Sequence, residues 1–363
     1  MMAMQAPWDI FCRVIDNFGD IGVCWRLARQ LAAEHGLPVR LWVDDLAFLT
    51  ALHPGVAASV DVQRVDQVDV CLWPEDFPVT DPAAVVIEAF ACDLPERYLQ
   101  TMAHRVPPPC WINLEYLSAE PWVDTCHGLA SPHPNLPCTK YFFFPGFGQN
   151  TGGLLRENGI FASRDDYLGR QTQSDCLEVS LFCYETAPLG PLLDLWSEGP
   201  RKVRCHVPPG KPLAAVRAHL EGNGPWHRRQ LEILPIPFLP MDEYDRLLWR
   251  CDVNFVRGED SLVRAIWAGK PFIWHIYPQD GDAHLAKLDA FLRRYTGGLD
   301  GQLADRMQRA FHAWNTGGNL AEEWPTLADN LDRLGAHTLD WGRHLAGATD
   351  LATSLVKFCT NRL

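Results

Sequence analysis

The stretch Val253 to Ile276, VNFVRGEDSLVRAIWAGKPFIWHI, decides the fold. Val253 to Val256 is a short apolar run suited to a buried strand, and Gly258 offers a turn. Ser261 to Ala268 then reads as a helix that Gly269 stops, and Pro271 to Ile276 is a second apolar strand. Strand, helix and strand in immediate succession make a parallel βαβ unit, because parallel neighbours need a crossover and a helix supplies it.

The same alternation extends outward from this stretch. Upstream it reads as strand Leu177 to Tyr184, helix Leu192 to Ser197, strand Val203 to Val207, helix Leu213 to Leu220, strand Gln230 to Ile236 and helix Asp242 to Trp249. The N-terminal half opens with a strand, Trp8 to Ile15, and a helix, Ile21 to Glu34, with apolar residues at 23, 24, 27, 28 and 31 ahead of Gly36. Pro38 to Val43, Val68 to Leu72, Ala84 to Ala89 and Cys110 to Leu114 are further strands, with a helix over Pro95 to His104. From about Pro145 to Asp175 the composition shifts to the Gly, Asn, Gln and Arg of a linker, and from Asp282 onward the chain reads as nearly all helical. The expected architecture is α/β, with two Rossmann-like doubly wound parallel sheets facing a cleft and followed by C-terminal helices. The expected boundaries are 1–160, a linker over 161–175, 176–345, and a last helical segment, 346–363. Ligands of such sheets bind beyond the carboxyl ends of strands, which directs attention to the loops after the first strand and after Val256.

With 363 residues, 47 % hydrophobic and 21 % charged, the chain has globular composition and enough length for two sizeable cores. A net charge of −13 disfavours nucleic-acid backbones and anionic membranes as partners. No run of about 18 apolar residues occurs, and Met1 to Asp9 lacks the basic and apolar regions of a signal peptide, so a cytoplasmic protein is expected. The 12 cysteines show no CxxC or zinc-knuckle spacing; several fall inside apolar strands, where a reduced thiol behaves as a small hydrophobe.

Four segments offer chemistry. Asp16-Asn17-Phe18-Gly19-Asp20-Ile21-Gly22 lies between the first strand and its helix, but it is not the dinucleotide GxGxxG, and its carboxylates would repel a pyrophosphate. Asp20 is either the helix cap or a working carboxylate, and the reciprocal residue of a capping box is absent because Val23 stands three positions on. Around Arg257 and Ser261, a strand, a glycine turn and a helix N-terminus present free backbone N–H groups with a guanidinium and a hydroxyl in reach, which suits an anion. The plain alternative is a βα connection with Asp260 or Ser261 as cap. Tyr277 and Gln279, after the next strand, fall on the same sheet edge, where Asp282 could cap the following helix. Phe182, Tyr184 and Phe238 could stack on a base, although a strand aromatic is usually core.

Together these features resemble a GT-B glycosyltransferase, and Arg257 to Phe272 looks like the element by which such enzymes hold a donor diphosphate. The blocks Asp16 to Ala32, Ser180 to Glu185, Pro235 to Trp249 and Asn254 to Leu292 are more specific: they resemble the bacterial elongation factor P arginine rhamnosyltransferases over nearly the whole chain. That resemblance implies inverting, metal-independent transfer of L-rhamnose from dTDP-β-L-rhamnose to an arginine nitrogen of elongation factor P, without a cofactor. It implies Asp20 as general base, Asp16 and Glu259 as supporting carboxylates, and Asn17, Phe18 and Gly19 as donor contacts in the same turn. Phe182, Tyr184 and Phe238 would frame the thymine and deoxyribose, while Arg257, Asp260, Ser261, Tyr277 and Gln279 would surround the diphosphate. Met241 stands where the family pattern has a polar residue, usually Gln, that helps read the base. Arg264 stands where many nucleotide-sugar transferases place a ribose-binding Glu, a loss that fits a deoxyribose donor; the plain alternative is a solvent-facing side chain. The resemblance also implies that 346–363 crosses back to the first domain.

The chemistry agrees with these residue types. A guanidinium is protonated at physiological pH and a poor nucleophile, so an acceptor arginine needs carboxylates to orient it and take its proton as the C–N bond forms. Two rivals remain: a nucleotide-sugar epimerase or hydrolase of the same fold, and a non-catalytic nucleotide-sugar sensor.

Overall fold

A computed structural model describes residues 6–15, 18–172 and 174–363. The chain divides into two compact units, Met1–Asn158 with Ala346–Leu363, and Gly159–Leu345.

Among the described residues the first unit holds eight strands: β1 (Trp8–Cys12), β2 (Val39–Val43), β3 (Val62–Val65), β4 (Val68–Leu72), β5 (Val85–Ala89), β6 (Cys110–Leu114), β7 (Ala130–Pro132) and β8 (Thr139–Phe143). They lie in the order β3-β4-β2-β1-β5-β6-β8-β7. The central pairs are parallel, and β3 and β7 are antiparallel edge strands. Every residue of β1, β5 and β6 is buried, as strands covered on both faces require, which is why they read as mostly apolar runs. One core cluster packs Phe11, Trp42, Trp73, Phe77, Tyr98 and Met102. Asp9 inside β1 is tolerated because its carboxylate is fully engaged. Arg40 donates twice at 2.6 Å, the Ala83 amide donates at 3.1 Å, and the Tyr98 hydroxyl donates as well. The last helix, Leu351–Thr360, is part of this unit: Asp350 caps it through the Thr353 amide at 3.0 Å, and Phe358 packs edge-on to Tyr141 and Phe143.

The second unit holds β9 (Leu177–Leu181), β10 (Val203–Val207), β11 (Trp226–Arg228), β12 (Leu231–Pro235), β13 (Val253–Arg257) and β14 (Phe272–His275), in the order β11-β12-β10-β9-β13-β14. All are parallel except the edge strand β11. Strand β9 therefore has β10 on one side and β13 on the other, and β13 in turn borders β14. Helices Ala283–Tyr295, Gly301–Thr316 and Leu331–Ala346 supply the C-terminal helical region.

The structure corrects three details of the sequence reading. The expected linker contains a helix, Ile160–Gly169, which belongs to the second unit: Ile160 and Arg164 are buried, and Arg164 Nη1 donates to the Trp267 carbonyl at 2.9 Å. Its polar residues had concealed it. The antiparallel edge strands β3, β7 and β11 were not expected, because they are too short or too exposed to show an apolar run. The first strand ends at Cys12, three residues early. The cysteines are free thiols, all but Cys126 and Cys176 buried, and among the described residues no helix is long and apolar enough to cross a membrane.

Candidate active site

In the second unit the predicted residues gather at the carboxyl edge of β9, β13 and β14. Arg257, the last residue of β13, pairs in register with His275, the last of β14. The chain then enters the helix Gly258–Ala268 through Gly258, whose φ of 67° is left-handed and favours glycine. This helix starts three residues before its sequence-based limit. Arg257 occupies the cap position without a side-chain cap bond, so neither Asp260 nor Ser261 is the cap.

Arg257 is the centre of the site. It is only 8 % exposed, its Cζ lies 4.4 Å from the Phe182 ring centre and 4.7 Å from that of Tyr184, and its Nη1 donates to the Cys183 carbonyl at 3.4 Å. The two rings hold the guanidinium in place by cation–π contact. Ser261 is 7 % exposed in the first turn of the helix, where backbone N–H groups lack intrahelical acceptors. Glu259 and Asp260 share that turn and are half-buried, opposing the positive end of the helix. Tyr277, 43 % exposed, meets Tyr184 edge to face at 5.8 Å. Gln279 is exposed, and its backbone N–H donates to His284 Nδ1 at 3.2 Å. Asp282 precedes the helix Ala283–Tyr295 but makes no side-chain cap bond.

Phe238 and Met241 both follow β12, Met241 as the first residue of the helix Met241–Arg250. Phe238 is half-buried, and Met241 is packed inside at 4 % exposure. Arg264 does not face solvent: its guanidinium forks onto Asp245 at 3.0 and 2.6 Å, both side chains being buried.

Three residues that sequence reasoning missed belong here. His275 is 2 % exposed, its Nδ1 accepts from the Tyr184 amide at 3.4 Å, and burial together with the neighbouring Arg257 charge pushes its pKa down to about 4. Lys211 opens the helix after β10; its Nζ lies 5.3 Å from the Tyr184 ring centre and 3.2 Å from Glu185. The turn Pro208-Pro209-Gly210 ahead of it was the available signal. Tyr244 packs edge-on to Phe182 at 5.7 Å, and its buried hydroxyl lies beside Ser261.

In the first unit, the helix Gly19–His35 begins at Phe18, which makes no side-chain cap bond. Asp20 therefore sits inside the first turn and is not the cap. It is 4 % exposed, and its Oδ2 accepts from the Ile15 amide at 3.0 Å, while Asp44 Oδ1 accepts from the Val14 amide at 2.9 Å. Phe18 packs edge-on to Phe48 at 5.4 Å, and Gly19 is the first residue of the helix. Asp16 and Asn17 lie outside the described residues. Among the described residues no group of three His, Cys, Asp or Glu is placed to hold a metal ion.

A family model described as elongation factor P (EF-P) rhamnosyltransferase EarP matches residues 8–360. The chain belongs to the EarP family. Protein-arginine rhamnosyltransferases of Pseudomonas putida and Pseudomonas aeruginosa are 47 % and 46 % identical to it, covering 99 % and 98 % of this chain and 100 % and 99 % of their own. A structure solved for EarP-mediated arginine glycosylation of translation elongation factor EF-P matches at 34 % identity and a TM-score of 0.67, covering 99 % of this chain and all of that one. Phytolacca americana UGT2, solved with UDP-2-fluoro-glucose and pterostilbene, matches at 11 % identity and a TM-score of 0.51 over the full length of both chains and shares the fold alone. As an EarP-family member, the chain is a GT-B protein-arginine rhamnosyltransferase.

Proposed function

We propose that this enzyme transfers L-rhamnose from dTDP-β-L-rhamnose to an arginine side-chain nitrogen of EF-P, in the cytoplasm, with inversion at the anomeric carbon and without a metal ion. The observation that carries the donor assignment is Arg257, buried between Phe182 and Tyr184 at the start of a helix whose first turn presents Ser261. That arrangement suits a nucleoside diphosphate: half-buried Phe182 offers its ring to the base or sugar, while buried Tyr184 holds the guanidinium, which together with the helix amides takes the anion.

In the proposed reaction the arginine nitrogen attacks the anomeric carbon from the face opposite the departing dTDP, and this displacement inverts the configuration. Asp20 takes the proton from the attacking guanidinium as the C–N bond forms, with Asp16 and Glu259 as supporting carboxylates. Arg257 and the free amides of the helix stabilise the negative charge that gathers on dTDP, the part a metal ion would otherwise play. The chain's net charge of −13 suits an acceptor protein whose reactive loop is basic.

Incubating the enzyme with EF-P and dTDP-β-L-rhamnose, with and without a chelator, and reading the intact mass of EF-P tests this reading. A gain of one deoxyhexose on arginine, insensitive to chelator and α-configured by NMR, is expected. Unmodified EF-P would refute the acceptor; consumption of donor without EF-P modification would favour a hydrolase, and dTDP binding without turnover a sensor.

A further inference from the structure

The carboxyl edge of the first unit carries a strained turn. Strands β1, β5 and β6 are parallel neighbours, with Phe11 level with Glu88, Glu88 level with Asn113 and Ala89 level with Leu114, so the three chains leave the sheet at one height. After β5, three residues other than glycine adopt left-handed backbone within four positions: Phe90 (φ 56°), Ala91 (φ 51°) and Asp93 (φ 54°). Such conformations persist only where the surroundings enforce them, and they gather at functional sites. Here the enforcement is explicit. The Phe90 amide donates to the Leu114 carbonyl at 2.7 Å, the Ala91 amide to Asn113 Oδ1 at 3.2 Å and the Asp93 amide to Glu88 Oε1 at 3.3 Å.

The strained turn places an aromatic surface next to a carboxylate. Phe90 stacks on Tyr116 with ring centres 4.6 Å apart and planes 20° from parallel. The Asn113 side chain that receives the Ala91 amide also donates, through Nδ2, to Glu115 Oε1 at 2.5 Å, so one buried amide fixes both the turn and the carboxylate. Glu115 and Tyr116 are half-buried and remain accessible. The chain that leads to Asp20 leaves β1 only two strand spacings from β6, roughly 10 Å, so side chains from both sides can converge on one small group.

We propose that Glu115 and Tyr116, its ring backed by buried Phe90, seat the acceptor arginine for Asp20. This rests on the proposed acceptor reading and adds its recognition site. A guanidinium is planar, offers paired donors along one edge to a carboxylate, and stacks on aromatic rings; a lysine ammonium provides no such plane. The seat therefore selects arginine over lysine.

The test uses the full chain and two small probes, Nα-acetyl-arginine amide and Nα-acetyl-lysine amide, with binding followed by NMR. The arginine probe is expected to bind more tightly than the lysine probe and to shift the Tyr116 ring signals. Glu115→Gln and Tyr116→Leu should each weaken it at least tenfold, Tyr116→Phe should retain it, and dTDP affinity should be unchanged throughout. With EF-P, Glu115→Gln should raise KM far more than it lowers kcat, which a merely structural residue would not do. Unaltered probe affinity in folded Glu115→Gln and Tyr116→Leu overturns the proposal. If wild type fails to modify EF-P yet binds the arginine probe with this dependence, the EF-P reading fails and the seat stands.

Discussion

Replacing Arg257 by alanine isolates the donor anion contact. The guanidinium is 8 % exposed and fixed between two rings, so solvent screening takes little from its interactions. A hydrogen bond to a charged group contributes about 1.5–3 kcal/mol, which predicts a loss of roughly 10- to 150-fold in dTDP affinity. Thymidine, which lacks the phosphates, should lose far less. Arg257→Lys keeps the charge but not the planar fork held over Phe182 and Tyr184, and should fall between alanine and wild type. A second consequence appears at His275. Burial is the larger cause of its low pKa and the Arg257 charge the next, so the alanine variant should raise that pKa part of the way from about 4 toward its ordinary value. Calorimetric titration with dTDP and thymidine, together with the pH dependence of the His275 ring signals, reads both effects. Unchanged dTDP affinity in folded Arg257→Ala would refute the assignment of Arg257 to the diphosphate.

His275 also makes the second unit acid-sensitive. Because its folded pKa of about 4 lies below the unfolded value of about 6.5, the unfolded chain binds the proton first, and stability should fall as pH drops through that window, by on the order of 3 kcal/mol in all. Denaturant midpoints between pH 7 and 4 measure this, and His275→Phe should flatten the dependence; an unaltered slope counts against it. Arg264→Glu would set a carboxylate against buried Asp245, so it should destabilise the second unit by about 3–5 kcal/mol, whereas Arg264→Met with Asp245→Leu should cost far less. Melting temperatures compare the two, and a stable Arg264→Glu protein whose nucleotide preference moves from dTDP toward UDP would show that Arg264 works at the sugar after all.

The βαβ pattern was legible because central parallel strands are buried on both faces, leaving β1, β5, β6 and β13 as short apolar runs. Arg257 and Ser261 were legible for a local reason: strand, glycine and helix N-terminus are consecutive in the chain, so the anion-binding geometry is written in one segment. Lys211, Tyr244 and His275 were not, because each reaches the site through the strand order β10-β9-β13-β14 or through the packing of the helix Met241–Arg250, neither of which any short window reveals. Arg264 shows the same limit: its position on a helix is predictable, but its partner Asp245 lies on the preceding helix and decides whether the side chain faces water. Spacing could not choose between cap and working carboxylate for Asp20; the observed start of the helix at Gly19 removes the cap.

Single-turnover transfer by Asp20→Asn tests the central claim most directly. Enzyme in excess over EF-P, saturated with dTDP-β-L-rhamnose, is quenched at intervals, and EF-P mass is read in parallel with dTDP affinity. A general base accounts for about 10²- to 10⁴-fold in rate and contributes little to holding the nucleotide. The variant should therefore bind dTDP as wild type does while transferring rhamnose at least about 100-fold more slowly. Wild-type transfer by Asp20→Asn would contradict the account.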